Sequence, residues 1–180
     1  MTDISLRRFE AAMRLAWAPI STELVATCRE ELETLVRADP AEDWLASLLA
    51  ERPASRELYR DPSDGFMLLA HTENEGLYRP PHDHGRAWVV YAVQSGELEI
   101  RTYAKVPSPD GGERLVLRES TIVRAGESRA YLPGDIHDTR CVSRSALLLR
   151  FTERDLKQDA GHPVARYGFR DGLWTTDAAA

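Results

Sequence analysis

Between residues 66 and 151 the chain divides into short apolar or alternating runs, with turn residues every eight to twelve positions. Residues 66–70 form a brief apolar run after an Asp-Pro-Ser-Asp-Gly turn. Residues 87–93 are unbroken, β-branched and aromatic, which suits a strand buried on both faces. Residues 97–103 alternate, as a half-exposed strand does. Ser95-Gly96 reads as a tight turn and residues 107–112 as a hairpin loop. Further short strands are expected over 114–117, 121–123, 129–132, 139–142 and 146–151. This rhythm predicts an antiparallel barrel or jelly roll.

The first 52 residues have a different period. Leu6, Phe9, Met13 and Trp17 recur at helical spacing, and Pro19 ends that stripe. Ser21 is a suitable N-cap for a second stripe of Leu24, Cys28, Leu32, Leu35 and Val36. Asp39-Pro40-Ala41-Glu42 reads as a third helix start, with Asp39 as cap, ahead of Trp44, Leu45, Leu48 and Leu49; Pro53 stops it. The expected organisation is one structural domain: a helical segment over 1–54, a barrel over 55–155 and a polar tail over 156–180. Within the tail, residues 155–160 suggest a helical turn and residues 175–180 a frayed end.

A net charge of −6 and a pI near 5.4 argue against a nucleic-acid partner. No apolar run reaches the roughly 18 residues of a membrane span, and Arg7, Arg8, Glu10 and Arg14 interrupt any leader-like stretch. Cys28 and Cys141 fit no paired motif and read as two reduced thiols of a cytoplasmic protein.

Chemistry concentrates in Pro80-Pro81-His82-Asp83-His84-Gly85 and in Pro133-Gly134-Asp135-Ile136-His137. Histidines one residue apart on extended chain point the same way. A Pro-Gly turn delivers His137 to a fixed point. Three imidazoles brought together would take one face of a metal and leave the other open. Asp135 and Asp138 are read as fixing that turn, and Asp83 as facing away from its neighbours. His71 is assigned to core or solvent, His162 to a loop, Cys141 to an inert buried position, and Trp88 and Tyr91 to the core.

The spacing Gly76, His82, His84, Val89, Gly96, followed by Gly126, Pro133, Gly134, His137 and Cys141, resembles the two cupin motifs. The cupin fourth ligand is a glutamate, and Val89 stands in its place. Within the cupins the chain is most similar to the cysteine dioxygenase-like thiol dioxygenases, over roughly residues 55–155. The likeness rests on three histidines without the glutamate, Gly85 before an apolar strand, and a helical segment leading into Glu57-Leu58-Tyr59-Arg60-Asp61-Pro62. It departs from that family where Val89 excludes a cysteine–tyrosine cross-link. Leu148, Arg150 and Thr152 replace its Ser-His-Tyr relay.

The resemblance implies a mainly β fold with N-terminal helices, the cupin double-stranded β-helix. It implies Fe(II) held by His82, His84 and His137, with nickel, manganese or zinc as alternatives. It also implies oxidation of cysteine or a mercapto-carboxylic acid by O2 to a sulfinate, by a monomer or homodimer. Arg60, Arg150 and Arg56 are the candidate carboxylate anchors, and Tyr59 and Tyr131 the candidate hydroxyls; no residue is assigned as catalytic acid or base. Competing readings are another metal-dependent cupin enzyme (a C–C-cleaving dioxygenase, isomerase or lyase) and a non-catalytic ligand-binding cupin.

Overall fold

The computed structural model describes residues 3–108, 112–159, 161–170 and 172–176. Three helices come first: α1 (Ile4–Ala16), α2 (Thr22–Leu35) and α3 (Asp43–Glu51). The expected stripes face inward, with Phe9 and Met13 on α1 and Cys28, Leu32 and Leu35 on α2 all buried. Ser21 caps α2, its hydroxyl accepting from the Leu24 N–H at 3.1 Å. The third helix starts later than expected. Asp39-Pro40-Ala41-Glu42 closes into a turn, with the Ala41 N–H donating to the Asp39 carboxylate and the Glu42 N–H to the Asp39 carbonyl. Tertiary contacts explain the delay. The Glu42 carboxylate instead accepts from Ser5 and from the Trp44 indole, while Asp3, from before α1, accepts from the Trp44 N–H.

The strands are β1 (Arg56–Arg60), β2 (Met67–Asn74), β3 (Tyr78–His82), β4 (Val89–Ser95), β5 (Glu97–Pro107) and β6 (Glu113–Arg124). Then follow β7 (Ser128–Tyr131), β8 (Ile136–Cys141), β9 (Ser145–Thr152), β10 (Tyr167–Arg170) and β11 (Leu173–Thr176). One sheet runs β1-β2-β9-β4-β7 and the other β3-β8-β5-β6, with every pairing antiparallel. From β2 to β9 the chain therefore fills two four-stranded sheets in jelly-roll order, as the cupin double-stranded β-helix does. Val89, Tyr91, Val93, Tyr131 and Leu148 of one sheet meet Leu98, Ile100, Val123 and Cys141 of the other in a buried layer.

The opposite face of the first sheet carries the helices. Leu68, Ala70, Val90, Ala92, Leu149 and Phe151 pack against Phe9, Met13, Leu32, Leu45 and Leu48. Both faces of β4 are thus covered, which is why its sequence is apolar without alternation. An aromatic cluster ties the layers together: Trp17 lies 4.6 Å from Phe66, and Phe151 lies 5.5 Å from Phe66 and 5.1 Å from Trp88. Each of these large side chains contributes roughly 1.5–3 kcal/mol by leaving water.

Ser95-Gly96 is a tight turn, as expected, and three strand expectations change. The Ser95-Gly96 turn carries the chain from one sheet to the other, because β5 pairs with β6 and β8 and not with β4. The runs at 114–117 and 121–123 are one strand, β6, which absorbs Arg118 as an extra residue where Thr102 pairs with Glu119 and Tyr103 with Leu117. The strand expected from 139 begins at Ile136, so His137 lies within β8, after the Pro133-Gly134 turn. The tail contains a hairpin, β10–β11, packed against Tyr103, Leu115 and Ile136 through Tyr167 and Trp174. Of the expected hairpin loop, residues 109–111 lie outside the described residues, as do Ala160 of the expected helical turn and residues 177–180 of the expected frayed end. Among the described residues no helix is long and apolar enough to cross a membrane.

Candidate metal centre

Cross-strand register brings the histidines together. His82, the last residue of β3, is paired with His137 on β8, and His84 follows two residues later. Each imidazole offers one nitrogen such that all three lie within 4.8 Å of one another. The ring centroids are 4.9–5.3 Å apart. His137 and His84 are buried, and His82 is partly open.

Burial, then neighbouring positive charge, keeps these rings neutral. The His84 pKa is pushed down to about 3 by desolvation, with His82 and Arg150 adding to it. His82 and His137 are lowered as well, desolvation again leading. The His82 Nδ1 is 2.8 Å from the Pro80 carbonyl, which fixes its proton there and leaves Nε2 with a free lone pair. The Nδ1 atoms of His84 and His137 are buried without partners among the described residues. Neutral, converging imidazoles fit a divalent transition metal. The group capable of holding an ion contains these three histidines and no carboxylate among the described residues. Val89, where the sequence resemblance would place a glutamate ligand, is fully buried in the apolar layer.

Tyr91, assigned to the core from sequence, reaches the centre. Its hydroxyl lies 3.2 Å from His84 Nε2 and 3.4 Å from His137 Nε2. Burial raises its pKa, and Arg150 opposes that rise. A signal for Tyr91 existed: it is two residues from Val89 on a strand, and so on the same face. Tyr131 stacks on His137 at 4.0 Å, and its outer side lines a cavity of about 470 Å³ with Arg118, Arg129 and Thr102.

The cavity onto which His82 and His84 open holds about 350 Å³. Arg150 of β9 lines it, paired in register with Tyr91 of β4. Its Nε is buried without a partner among the described residues. The remaining wall comes from the tail, through Leu156, Lys157, Asp159, Val164 and Arg166. Sequence reasoning missed that wall, because a polar tail has no period to betray its position.

The other two arginines lie elsewhere. Arg60 pairs with Glu57 at 2.9 Å and with Asp155 at 3.0 Å, and Arg56 bonds Glu51 and Ser47 at the end of α3. Neither lines the histidine cavity. Both sit on β1, an edge strand added outside the eight that enclose the interior. Tyr59 donates to Asp61 at 2.8 Å beside Phe66.

Asp135 does fix its turn, accepting from the Leu132 N–H at 2.7 Å. Asp138 does not. It is buried on the other face of β8, where the Tyr78 and Tyr103 hydroxyls donate to it at 2.8 and 2.6 Å. Asp83 ties the histidine loop to the tail, accepting from the Gly85 and Ala165 N–H groups. His71 lies on β2 with its Nε2 buried, and its pKa is lowered to about 3 by desolvation and then by Arg150 and Arg79. Cys141 is buried, and Cys28 is buried with its thiol pKa raised by desolvation.

Fold and site together define a jelly-roll barrel with a three-histidine centre at one end. No family model matches the chain, and no curated protein does. Solved structures similar to it include a cupin domain. The Schizosaccharomyces pombe Cnp3 cupin domain aligns at 9% identity and TM-score 0.45, covering 58% of this chain and 63% of that one. Oxalate oxidase with the substrate analogue glycolate aligns at 26% identity and TM-score 0.43, covering 56% of this chain and 51% of that one. KdgF from Halomonas sp. aligns at 17% identity and TM-score 0.43, covering 56% and 80%. The aligned region thus spans less than two thirds of the first two chains.

Proposed function

We propose that this chain is a non-haem Fe(II) dioxygenase that converts a small thiol bearing a carboxylate, with O2, into the sulfinate. The observation that supports this reading best is a ligand set of three neutral imidazoles without a carboxylate. Such a set leaves a divalent ion its full charge, which favours an anionic thiolate over a neutral ligand. Bound Fe(II) would supply the acidity that deprotonates the thiol and the redox chemistry of oxygen. The stoichiometry closes as R–SH plus O2 giving R–SO2H, with both oxygen atoms on sulfur.

The chain's own residues have three tasks. Arg150, beside His82 and His84, binds the substrate carboxylate and thereby aims the thiol at the centre. The Tyr91 hydroxyl, between His84 and His137, is a hydrogen-bonding group for what binds there. Val89, Tyr91 and Tyr131 close the floor against water. The two unpaired buried cysteines suit a reducing, cytoplasmic setting.

The test is metal analysis of the purified protein, followed by oxygen uptake with cysteine, 3-mercaptopropionate, mercaptosuccinate and cysteamine. Iron content and oxygen-dependent sulfinate from at least one acid thiol are expected. Iron-loaded protein that consumes no oxygen with any thiol overturns the proposal, and retention of nickel or manganese points to another cupin chemistry.

A further inference from the structure

The charge of the cavity wall exceeds what one carboxylate needs. Arg150 faces the cavity from the barrel, and Lys157 and Arg166 face it from the tail. Asp159 is the carboxylate among the described lining residues, and it is already engaged: 2.8 Å from Arg86 Nε, 3.9 Å from Arg154 and 3.6 Å from His162. Neither Lys157 nor Arg166 forms an ion pair with a described residue. The Arg150 Nε has no hydrogen-bond partner among the described residues either, while the rest of the guanidinium lies beside the Tyr91 hydroxyl.

The backbone at Arg166 is held in place. The Arg166 backbone bridges to His82. The neighbouring Ala165 donates its N–H to the Asp83 carboxylate at 2.8 Å and accepts from the Asp83 N–H at 3.1 Å. Arg166 is thereby anchored to the strand that carries the first histidine. A monoacid, taken up by the guanidinium of Arg150, would leave Lys157 and Arg166, the two exposed tail cations that line the cavity, without a ligand carboxylate, although Lys157 also feels the nearby Asp155.

We propose that the ligand of this cavity is a small diacid, with one carboxylate on Arg150 and the second on Lys157 and Arg166. Combined with the thiol oxidation proposed above, on which only the identity of the reacting group rests, the substrate class is a thiol bearing two carboxylates.

Anion recognition can be read without turnover. Succinate and butyrate, which match in chain length and lack sulfur, are titrated into anaerobic iron-loaded protein by calorimetry. Succinate is expected to bind at least tenfold more tightly. The double variant Lys157→Ala/Arg166→Ala should remove that preference with butyrate affinity unchanged, and Arg150→Ala should weaken both acids. Equal affinity for the two acids, failure of both to bind, or a preference that survives the double variant would overturn the proposal. Oxygen uptake with 3-mercaptopropionate and mercaptosuccinate is recorded separately. A succinate preference without thiol oxidation sinks the dioxygenase reading alone, and thiol oxidation without that preference sinks the diacid alone.

Discussion

Tyr91→Phe should tighten metal binding rather than weaken it. The Tyr91 hydroxyl lies 3.2 and 3.4 Å from the Nε2 atoms of His84 and His137. One hydroxyl proton can serve one acceptor, so it donates to one ring and accepts from the N–H of the other. A metal bound through those nitrogens would displace both contacts. They are long, so about 0.5 kcal/mol each is a fair magnitude, or about 1 kcal/mol for the pair. Phenylalanine keeps the ring that packs against Tyr131 at 5.5 Å. The metal-free variant should therefore be about 1 kcal/mol less stable, and the metal-loaded variant close to wild type. By linkage, metal affinity should rise about fivefold. Competition against a chelator, with thermal melts of both forms, measures all three. A tenfold loss of metal affinity would refute the reasoning and make the hydroxyl itself a ligand.

Three further perturbations probe the scaffold. Asp138→Ala strands the Tyr78 and Tyr103 hydroxyls that donate to this buried carboxylate, and should cost about 3 kcal/mol in a urea melt; a change under about 0.5 kcal/mol would show that the cluster carries no stability. Gly85→Ala should cost about 2–3 kcal/mol and expose the tail to limited proteolysis, since Gly85 has φ +60° and a Cβ would meet the His162 carbonyl oxygen at 2.4 Å; Gly76→Ala, with φ +74° and open space around it, should cost only about 1 kcal/mol, and equal losses would refute the clash. Metal-free protein should lose stability as pH falls. His71 and His84 have folded pKa values near 3 against 6.5 for the free residue, so the unfolded chain binds protons that the folded chain excludes. Stability is complete above pH 6.5 and falls towards pH 3, by about 1.4 kcal/mol per pH unit for each such histidine. Urea midpoints that stay level from pH 7.5 to pH 5 would contradict it.

Arg60 and Arg150 show how far local pattern reaches. Both are arginines on extended chain, Arg150 within the apolar run of residues 146–151 and Arg60 between Tyr59 and Asp61, but neither context says which one reaches the histidines. Sheet order does: β1 is an added edge, while β9 lies between β2 and β4 and turns Arg150 inward beside Tyr91. The Asp39 start signal fails for a similar reason. Its four residues carry the right capping chemistry, but Ser5, from across the fold, and Trp44, two residues on, claim the Glu42 carboxylate.

Side-chain direction along one strand or helix is a local property, set by periods of 2 and 3.6 residues. The sequence alone therefore determined the helical stripes, the strand rhythm and the His82–His84 pair. His137 joins them because the sheet pairs β8 with β3. Which cations face the histidines, that Tyr91 touches two of them, and that the polar tail closes the cavity were decided only by tertiary structure. Those facts depend on strand register and on ion pairs between residues distant in the chain, and neither leaves a periodic trace.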